Sequence, residues 1–189
     1  MSPLAKSRRP QLARAIAIAV LLVALPASAA VYFTVPQVLS SFFSTSKKIG
    51  YKKVTLTDAA ATEIAKKLGQ KSIKKEWTVY VADGDGKRDG YAIVDEEKGM
   101  HELIDYAVKF STRGSIERIE ILVYREPYGD EVRRERFRNQ FRGKTASDPI
   151  TAGHDIDIIS GASISSRSIA LGVKRDTLIL DAAIKSGSL

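Results

Sequence analysis

The stretch Ile104-Asp105-Tyr106-Ala107-Val108-Lys109-Phe110 alternates large apolar side chains with small or charged ones. A period of two places the apolar side chains on one face of a β-strand. A second alternating run at Ile119, Ile121 and Val123 follows the turn-forming residues 111–115. The two runs therefore predict an antiparallel pair of strands with one buried face.

Two more strands are predicted upstream, at residues 77–82 and 91–94, around a turn at residues 83–90. The run Asp83-Gly84-Asp85-Gly86 within that turn resembles the start of a calcium loop. Lys87 and Val94 occupy positions where an EF-hand needs ligands, so a hairpin turn is the better interpretation. Together the four strands predict an antiparallel meander.

Helices are predicted on both sides of these strands in the chain. Residues 30–50 are expected to form a small helix and a loop, and Thr57 is the predicted N-cap of a helix that stops at Gly69. A charged helix is predicted at residues 130–141 and a last one at about 166–185. The inward residues of the charged helix are Val132, Phe137 and Phe141.

The fold class predicted from this pattern is α+β, an antiparallel sheet meander packed against helices, in a single domain after an N-terminal export signal. The predicted divisions are a signal at residues 1–29, a helical lead-in at 30–76 and the main domain at 77–187.

Residues 1–29 have the pattern of an export signal. A basic start precedes an apolar run at residues 15–25, and Ala27-Ser28-Ala29 fits the small-x-small cleavage pattern. The run is shorter than the roughly 20 apolar residues of a membrane span. Extension of the run over residues 12–35 would instead give an uncleaved membrane anchor. Ser7-Arg8-Arg9 hints at a twin-arginine signal, but the residues after it favour the general export route, and the protein is expected in the periplasm or cell envelope.

The chain has no cysteine, and its histidines are His101 and His154. This excludes disulfides, thiolate catalysis, iron–sulfur ligation and c-type haem attachment, and it disfavours a histidine-rich metal site. The two histidines are expected to be ordinary surface or loop residues. Any redox chemistry must therefore come from an organic cofactor.

The net charge of +8 raises the question of nucleic-acid binding. Lys6, Arg8, Arg9 and Arg14 all precede the apolar run, and without them the net charge falls to +4, so no nucleic-acid partner is predicted. A second basic stretch, residues 133–142, is interpreted as a solvated helix face or as a docking surface for an acidic partner.

The segment before the last helix is Asp157-Ile158-Ile159-Ser160-Gly161-Ala162-Ser163, followed by Ile164-Ser165-Ser166. Small residues expose the backbone there, and several hydroxyls lie close to a helix start. Hydroxyls in that position usually cap the helix. The same position also favours an anion, because backbone N–H groups and the helix dipole point outward.

This segment resembles the attachment motif of the covalent-FMN domains of sodium-pumping quinone reductases, Rnf-type complexes and small exported flavoproteins. Asp157, Ser160, Gly161 and Ala162 match the motif, and Ser163 stands where the family has the threonine that the FMN phosphate esterifies. The resemblance implies covalent FMN on Ser163 and a recognition role for Asp157. Ser160, Ser165 and Ser166 are then expected to help seat the phosphate, while Gly161 and Ala162 keep the acceptor accessible.

The turn Tyr124-Arg125-Glu126-Pro127-Tyr128-Gly129 is similar to a turn near the attachment loop of the same family. The resemblance implies that the two segments lie side by side. Tyr124, Arg125, Glu126 and Tyr128 are then expected in the flavin site, with the tyrosines flanking the ring. A surface pair of Arg125 with Glu126 is the alternative.

The resemblance implies an electron carrier that works between a membrane redox partner and an acceptor outside the cytoplasm. A flavin transferase is expected to install FMN from FAD with magnesium. No substrate pocket is evident, so the chain is interpreted as a carrier rather than a stand-alone enzyme. Two alternatives stay open: a small reductase acting on a soluble substrate, and a binding module of the same fold that lost flavin attachment when serine replaced threonine.

Overall fold

The computed structural model describes residues 29–189. The strands are β1 Ala30–Val31, β2 Lys48–Thr55, β3 Glu76–Gly84, β4 Lys87–Lys98, β5 Leu103–Phe110 and β6 Ile116–Tyr124. The helices are α1 Val35–Phe42, α2 Asp58–Lys67, α3 Glu135–Arg138 and α4 Ser163–Lys185, with 3-10 turns at Asp130–Arg133 and Asn139–Phe141. The predicted export signal lies almost wholly outside the described residues.

All six strands form one antiparallel sheet in the order β1-β6-β5-β4-β3-β2. Strands β2 to β6 make a meander, so the predicted α+β class is confirmed. Asp85 and Gly86 connect β3 to β4, both with positive φ, at 47° and 75°. That backbone is typical of a two-residue hairpin turn, because its twist matches the twist of the flanking strands.

Strand β2 differs from the prediction, which placed a loop there. It pairs with β3 over all of its length, yet Val54 is its one fully buried residue. Lysines at positions 48, 52 and 53 are exposed along this edge strand. Charged lysines at a sheet edge oppose pairing with other chains, and they also hide the alternation that marks a strand.

The main core lies between the sheet and α4. Trp77, Tyr106 and Phe110 from the sheet meet Ile169 and Val173 of α4, and all five are buried. The helix lies so close to the sheet that a Cβ atom on Gly172 would come within 2.3 Å of the Tyr106 hydroxyl. A glycine is therefore required where α4 crosses β5.

A smaller core covers the opposite face of the sheet. Ala82, Ala92 and Ala107 leave room on the strands for α1. From α1 and the residue after it, the side chains that fill this space are Val38, Leu39, Phe42 and Phe43. The prediction of a single buried face was therefore wrong, because small alanines on that face do not look like a core pattern.

The helix predicted at residues 130–141 is broken into a 3-10 turn, α3 and a second 3-10 turn. Its predicted inward residues Val132, Phe137 and Phe141 are nevertheless buried. Arg138 lies against the sheet, where it pairs with the buried carboxylate of Glu120 and donates to the Ile119 carbonyl at 3.1 Å. Part of the basic stretch thus holds this segment in place rather than facing solvent.

The predicted N-cap of α2 is confirmed: the Thr57 hydroxyl accepts from the Ala60 N–H at 3.2 Å. Near the other end of the described chain, β1 pairs with β6 directly before α1 begins. Across residues 29–189, helices with the length and apolar character needed to cross a bilayer are absent.

Asp176 is a carboxyl group buried inside the main core. It has no exposed surface, and neither of its oxygens has a hydrogen-bond partner within the described part of the chain. Burial, together with the negative charge of Asp95, raises the pKa of Asp176 well above its ordinary value. The folded protein therefore holds this proton to higher pH than the unfolded chain does.

We expect Asp176 to make the protein less stable as pH rises. The unfolded chain loses the proton near pH 4, while the folded chain keeps it, so stability falls by about 1.4 kcal/mol per pH unit while only the unfolded state is ionised. Asp176→Asn, which cannot ionise, should flatten the fall in unfolding free energy between pH 4 and pH 7. Denaturant titrations check this, with Asp181→Asn as the control; equal pH slopes in both variants would contradict it.

Candidate functional site

The attachment motif forms the N-terminus of α4. Ser163 is the first helical residue, and no side chain caps this end of the helix. Gly161, with φ +85°, turns the backbone, and the buried Ala162 fixes the turn to the core. The first helical bond runs from the Ser166 N–H to the Ala162 carbonyl at 2.9 Å. The N–H groups that precede it face the end of the helix, where an anion is favoured.

The four serines of the motif have different environments. Ser160 and Ser163 are exposed, whereas Ser165 and Ser166 are buried. The Ser166 hydroxyl donates to the Ala162 carbonyl at 2.8 Å and accepts from the Ile159 N–H at 3.2 Å. It therefore seats the loop itself.

Asp157 lies at the beginning of the motif with an exposed side chain. Its backbone N–H donates to the Gln140 side-chain oxygen at 2.6 Å, which ties the motif to the segment after β6. The carboxylate therefore remains accessible to another protein.

A strained loop leads into the motif. Ile150 is buried and has φ +42°, a conformation that is costly for a β-branched residue. The Asp155 carboxylate accepts from the N–H groups of Ile150 at 3.1 Å and Thr151 at 2.7 Å, and from Lys144 at 2.8 Å. Partial burial would raise the pKa of Asp155, but these donors outweigh it and leave the pKa below its ordinary value. The ionised carboxylate thus holds the strained backbone.

Residues 124–129 lie beside the motif, as the sequence predicted. The Tyr124 hydroxyl donates to the Tyr128 carbonyl at 2.6 Å and lies 2.8 Å from the Ser165 hydroxyl. Gly129 has φ +97°, and a Cβ atom there would come within 2.6 Å of the Tyr124 oxygen and 2.8 Å of the Ser165 oxygen. The turn, the sheet and α4 therefore meet at one point.

Burial of Tyr124 changes its predicted role. Only 2% of the residue is exposed, and burial raises the pKa of its hydroxyl. Its ring has no free face for a ligand, so Tyr124 supports the site from within the core. Tyr128, in contrast, is 84% exposed and remains available to a ligand.

Arg125 and Glu126 point in different directions and do not form the surface pair considered from the sequence. Arg125 makes two hydrogen bonds to the Asp105 carboxylate, at 2.7 and 2.9 Å, on the side away from the motif. Glu126 accepts from the backbone N–H groups of His101 at 2.5 Å and Glu102 at 3.0 Å. Arg125 therefore does not line the site, and Glu126 supports it through a neighbouring loop.

An open cavity of about 350 Å³ lies between three segments of the chain. The start of α4 forms one wall and the turn at 126–129 forms another. The third wall comes from Met100 and His101, in the loop between β4 and β5. Exposed side chains of Met100, Tyr128 and Ile164 give this cavity an apolar rim.

Sequence reasoning missed Met100 and His101. They belong to no motif, and His101 was interpreted as an ordinary surface residue. The sequence does hold one signal for them, because β5 begins directly after this loop and Ile104 pairs with Tyr124. Recognising that pair would have placed the loop at the same end of the sheet as the turn.

Comparisons with known proteins agree with this site. Residues 99–176 match the family model of the FMN-binding domain, and they include the loop, the turn and the motif. This confirms the resemblance drawn from the motif. A comparison with curated proteins gives no match.

Two solved structures resemble the chain. NqrC of Shewanella oneidensis is 17% identical with a TM-score of 0.51, over 76% of this chain and 87% of that one. The corresponding subunit of the Na⁺-translocating NADH-quinone reductase of Parabacteroides distasonis is 19% identical with a TM-score of 0.45, over 74% and 77%. The likeness to the Shewanella protein confirms the fold.

We expect Tyr124→Phe to destabilise the protein by about 1–3 kcal/mol, because it leaves the Ser165 hydroxyl and the Tyr128 carbonyl without their partner. Chemical denaturation followed by circular dichroism measures the change. Tyr128→Phe is the matched control, since its side chain is exposed and its stability should stay within about 0.5 kcal/mol of the natural chain. Equal stability of the two variants would show that the Tyr124 hydroxyl does not hold the turn on α4.

Proposed function

We propose that the chain is an exported FMN-binding electron-transfer protein, with the flavin joined through its phosphate to Ser163. It would relay electrons between a membrane redox partner and an acceptor outside the cytoplasm. The observation that carries the proposal is the exposed Ser163 hydroxyl, at an uncapped helix N-terminus beside an apolar-rimmed cavity. The match of residues 99–176 to the FMN-binding family supports the choice of cofactor.

The residues present fit the two ends of FMN. A phosphate ester keeps a negative charge, which the N–H groups and dipole of α4 favour. Arg167, exposed and one turn further along the helix, adds a positive charge near that end. The flat ring system of a flavin is largely apolar, and the rim formed by Met100, Tyr128 and Ile164 offers it apolar contacts. Bound FMN would supply the transfer of one or two electrons.

Accessibility distinguishes among the hydroxyls of the motif. A transferase must bring the acceptor into its own active site, so Ser165 and Ser166, which are buried and hydrogen-bonded, are poor acceptors. Ser163 is accessible and lies at the helix end, while Ser160 is accessible but lies before the turn at Gly161. Ser163 therefore combines access with a place to hold the phosphate.

Attachment would use FAD and a separate transferase with magnesium. The Ser163 oxygen forms a bond to the phosphorus next to riboflavin, and the bond from that phosphorus to the bridging oxygen of the pyrophosphate breaks. AMP leaves with that oxygen, and the hydroxyl proton passes to solvent. No electrons are transferred in this step. The exposed Asp157 carboxylate is available for recognition by the transferase.

A second candidate is a binding module of the same fold that carries no flavin. Serine in place of the usual threonine at position 163 is the observation that favours it. Both candidates keep the cavity and the fold, and they differ in whether the exported protein carries flavin.

We expect Ser163→Ala to abolish covalent flavin without loss of the fold, because Ser163 makes no side-chain cap and is exposed. Ser163→Thr should be modified at least as well as the natural chain. Each protein is co-produced with a flavin transferase, exported and run on a denaturing gel, and its flavin fluorescence is recorded. Ser160→Ala is the matched control and should keep its flavin.

Flavin retained by Ser163→Ala would overturn the assignment of the acceptor. A natural chain without flavin beside a fluorescent Ser163→Thr variant would favour the binding module.

We also expect export with cleavage after Ala29. This would leave Ala30 as the new N-terminus, and Ala30 is where β1 begins to pair with β6 at Tyr124. Cleavage there would remove the signal without shortening the sheet. N-terminal sequencing of protein from the cell envelope tests this; a chain that still begins near Met1 would instead indicate an anchor at residues 12–35.

A further inference from the structure

We propose that the loop of residues 99–102 is a third wall of the flavin site. In this proposal Met100 and His101 contact the ring, and Glu126 is the positioning residue that fixes the loop. The inference rests on the proposed attachment of FMN to Ser163 and adds the residues that hold the other end of the cofactor.

The loop is a tight hairpin that presents its side chains toward the cavity. The Gly99 N–H donates to the Glu102 carbonyl at 2.8 Å, which closes the loop between β4 and β5. Met100 is 61% exposed and, like His101, lines the cavity next to Ser163. A methionine exposed to this degree is unusual on a protein surface, and a polarizable thioether packs well against an aromatic ring.

Glu126 fixes this loop through its carboxylate. One oxygen accepts from both the His101 and the Glu102 N–H groups. Partial burial would raise the pKa of Glu126, but the backbone donors outweigh it and leave the pKa below its ordinary value. A Cβ atom on Gly99 would come within 2.6 Å of that oxygen, so only glycine leaves room for it. The loop is therefore built around an ionised side chain.

The loop is also fixed relative to Ser163. Glu126 belongs to the turn that the Tyr124 hydroxyl joins to Ser165 of α4. In addition, the Ser168 hydroxyl of α4 donates to the Lys98 carbonyl at 2.6 Å, at the end of β4. Both connections lead from the loop to the first two turns of α4. A flavin bound at Ser163 thus meets Met100 and His101 at a set distance.

The test uses the mature protein, flavinylated by co-production with the transferase. Flavin content is read after denaturation, and the native absorption spectrum, the native fluorescence relative to the denatured sample and the midpoint potential are then compared. Met100→Ala and His101→Ala should keep the full flavin content but shift the spectrum and potential and raise the native fluorescence. Ile49→Ala, an exposed apolar residue of β2 on the far edge of the sheet, is the matched control.

Glu126 is tested by rescue. Glu126→Ala frees the loop and should change the spectrum in the same direction as Met100→Ala, whereas Glu126→Gln keeps an acceptor oxygen and should restore it at least in part. If Glu126→Ala does not fold, the Met100 and His101 variants still decide.

Spectra and potentials of Met100→Ala and His101→Ala that equal those of Ile49→Ala, at full flavin content, would overturn the inference. Absence of flavin from the natural chain would instead overturn the proposed function.

Discussion

The hydrogen bond between the Tyr124 and Ser165 hydroxyls is the contact on which the site depends. It lies in the core, where β6 ends, the turn at 126–129 begins and α4 starts. Because Tyr124 also donates to the Tyr128 carbonyl, one buried phenol fixes the turn relative to the helix. Gly129 is required there, since any side chain would strike both hydroxyls. The cavity exists because these elements cannot separate without leaving buried polar groups unpaired.

The same helix connects the site to the main core. Close packing at Gly172 against Tyr106 fixes the height of α4 above the sheet, and Ser168 ties it to the end of β4. The N-terminus of α4 is thus held by contacts along the helix rather than by a side-chain cap. A rigid helix end with free N–H groups suits the binding of a charged phosphate, since little reorganisation is needed when it binds.

The sequence predicted the elements whose patterns are strong. Alternation in β5 and β6 and the Thr57 cap were sufficient for the fold class, and the motif predicted where α4 meets the turn. Strand β2 was missed because edge lysines replace the apolar face that a buried strand shows. The roles of Tyr124, Arg125 and Glu126 depend on the direction of each side chain, which spacing along the chain does not determine. A bulge between Asp105 and Tyr106 shifts the register with β6 just there.

Peptide mapping of the natural exported protein tests the central claim most directly. Trypsin cuts after Lys144 and Arg167, so a single peptide, residues 145–167, contains the whole motif. The account predicts that this peptide carries FMN after co-production with the transferase, and that fragmentation places the phosphate on Ser163. FMN on a different residue, or an exported protein whose peptides carry none, would contradict it.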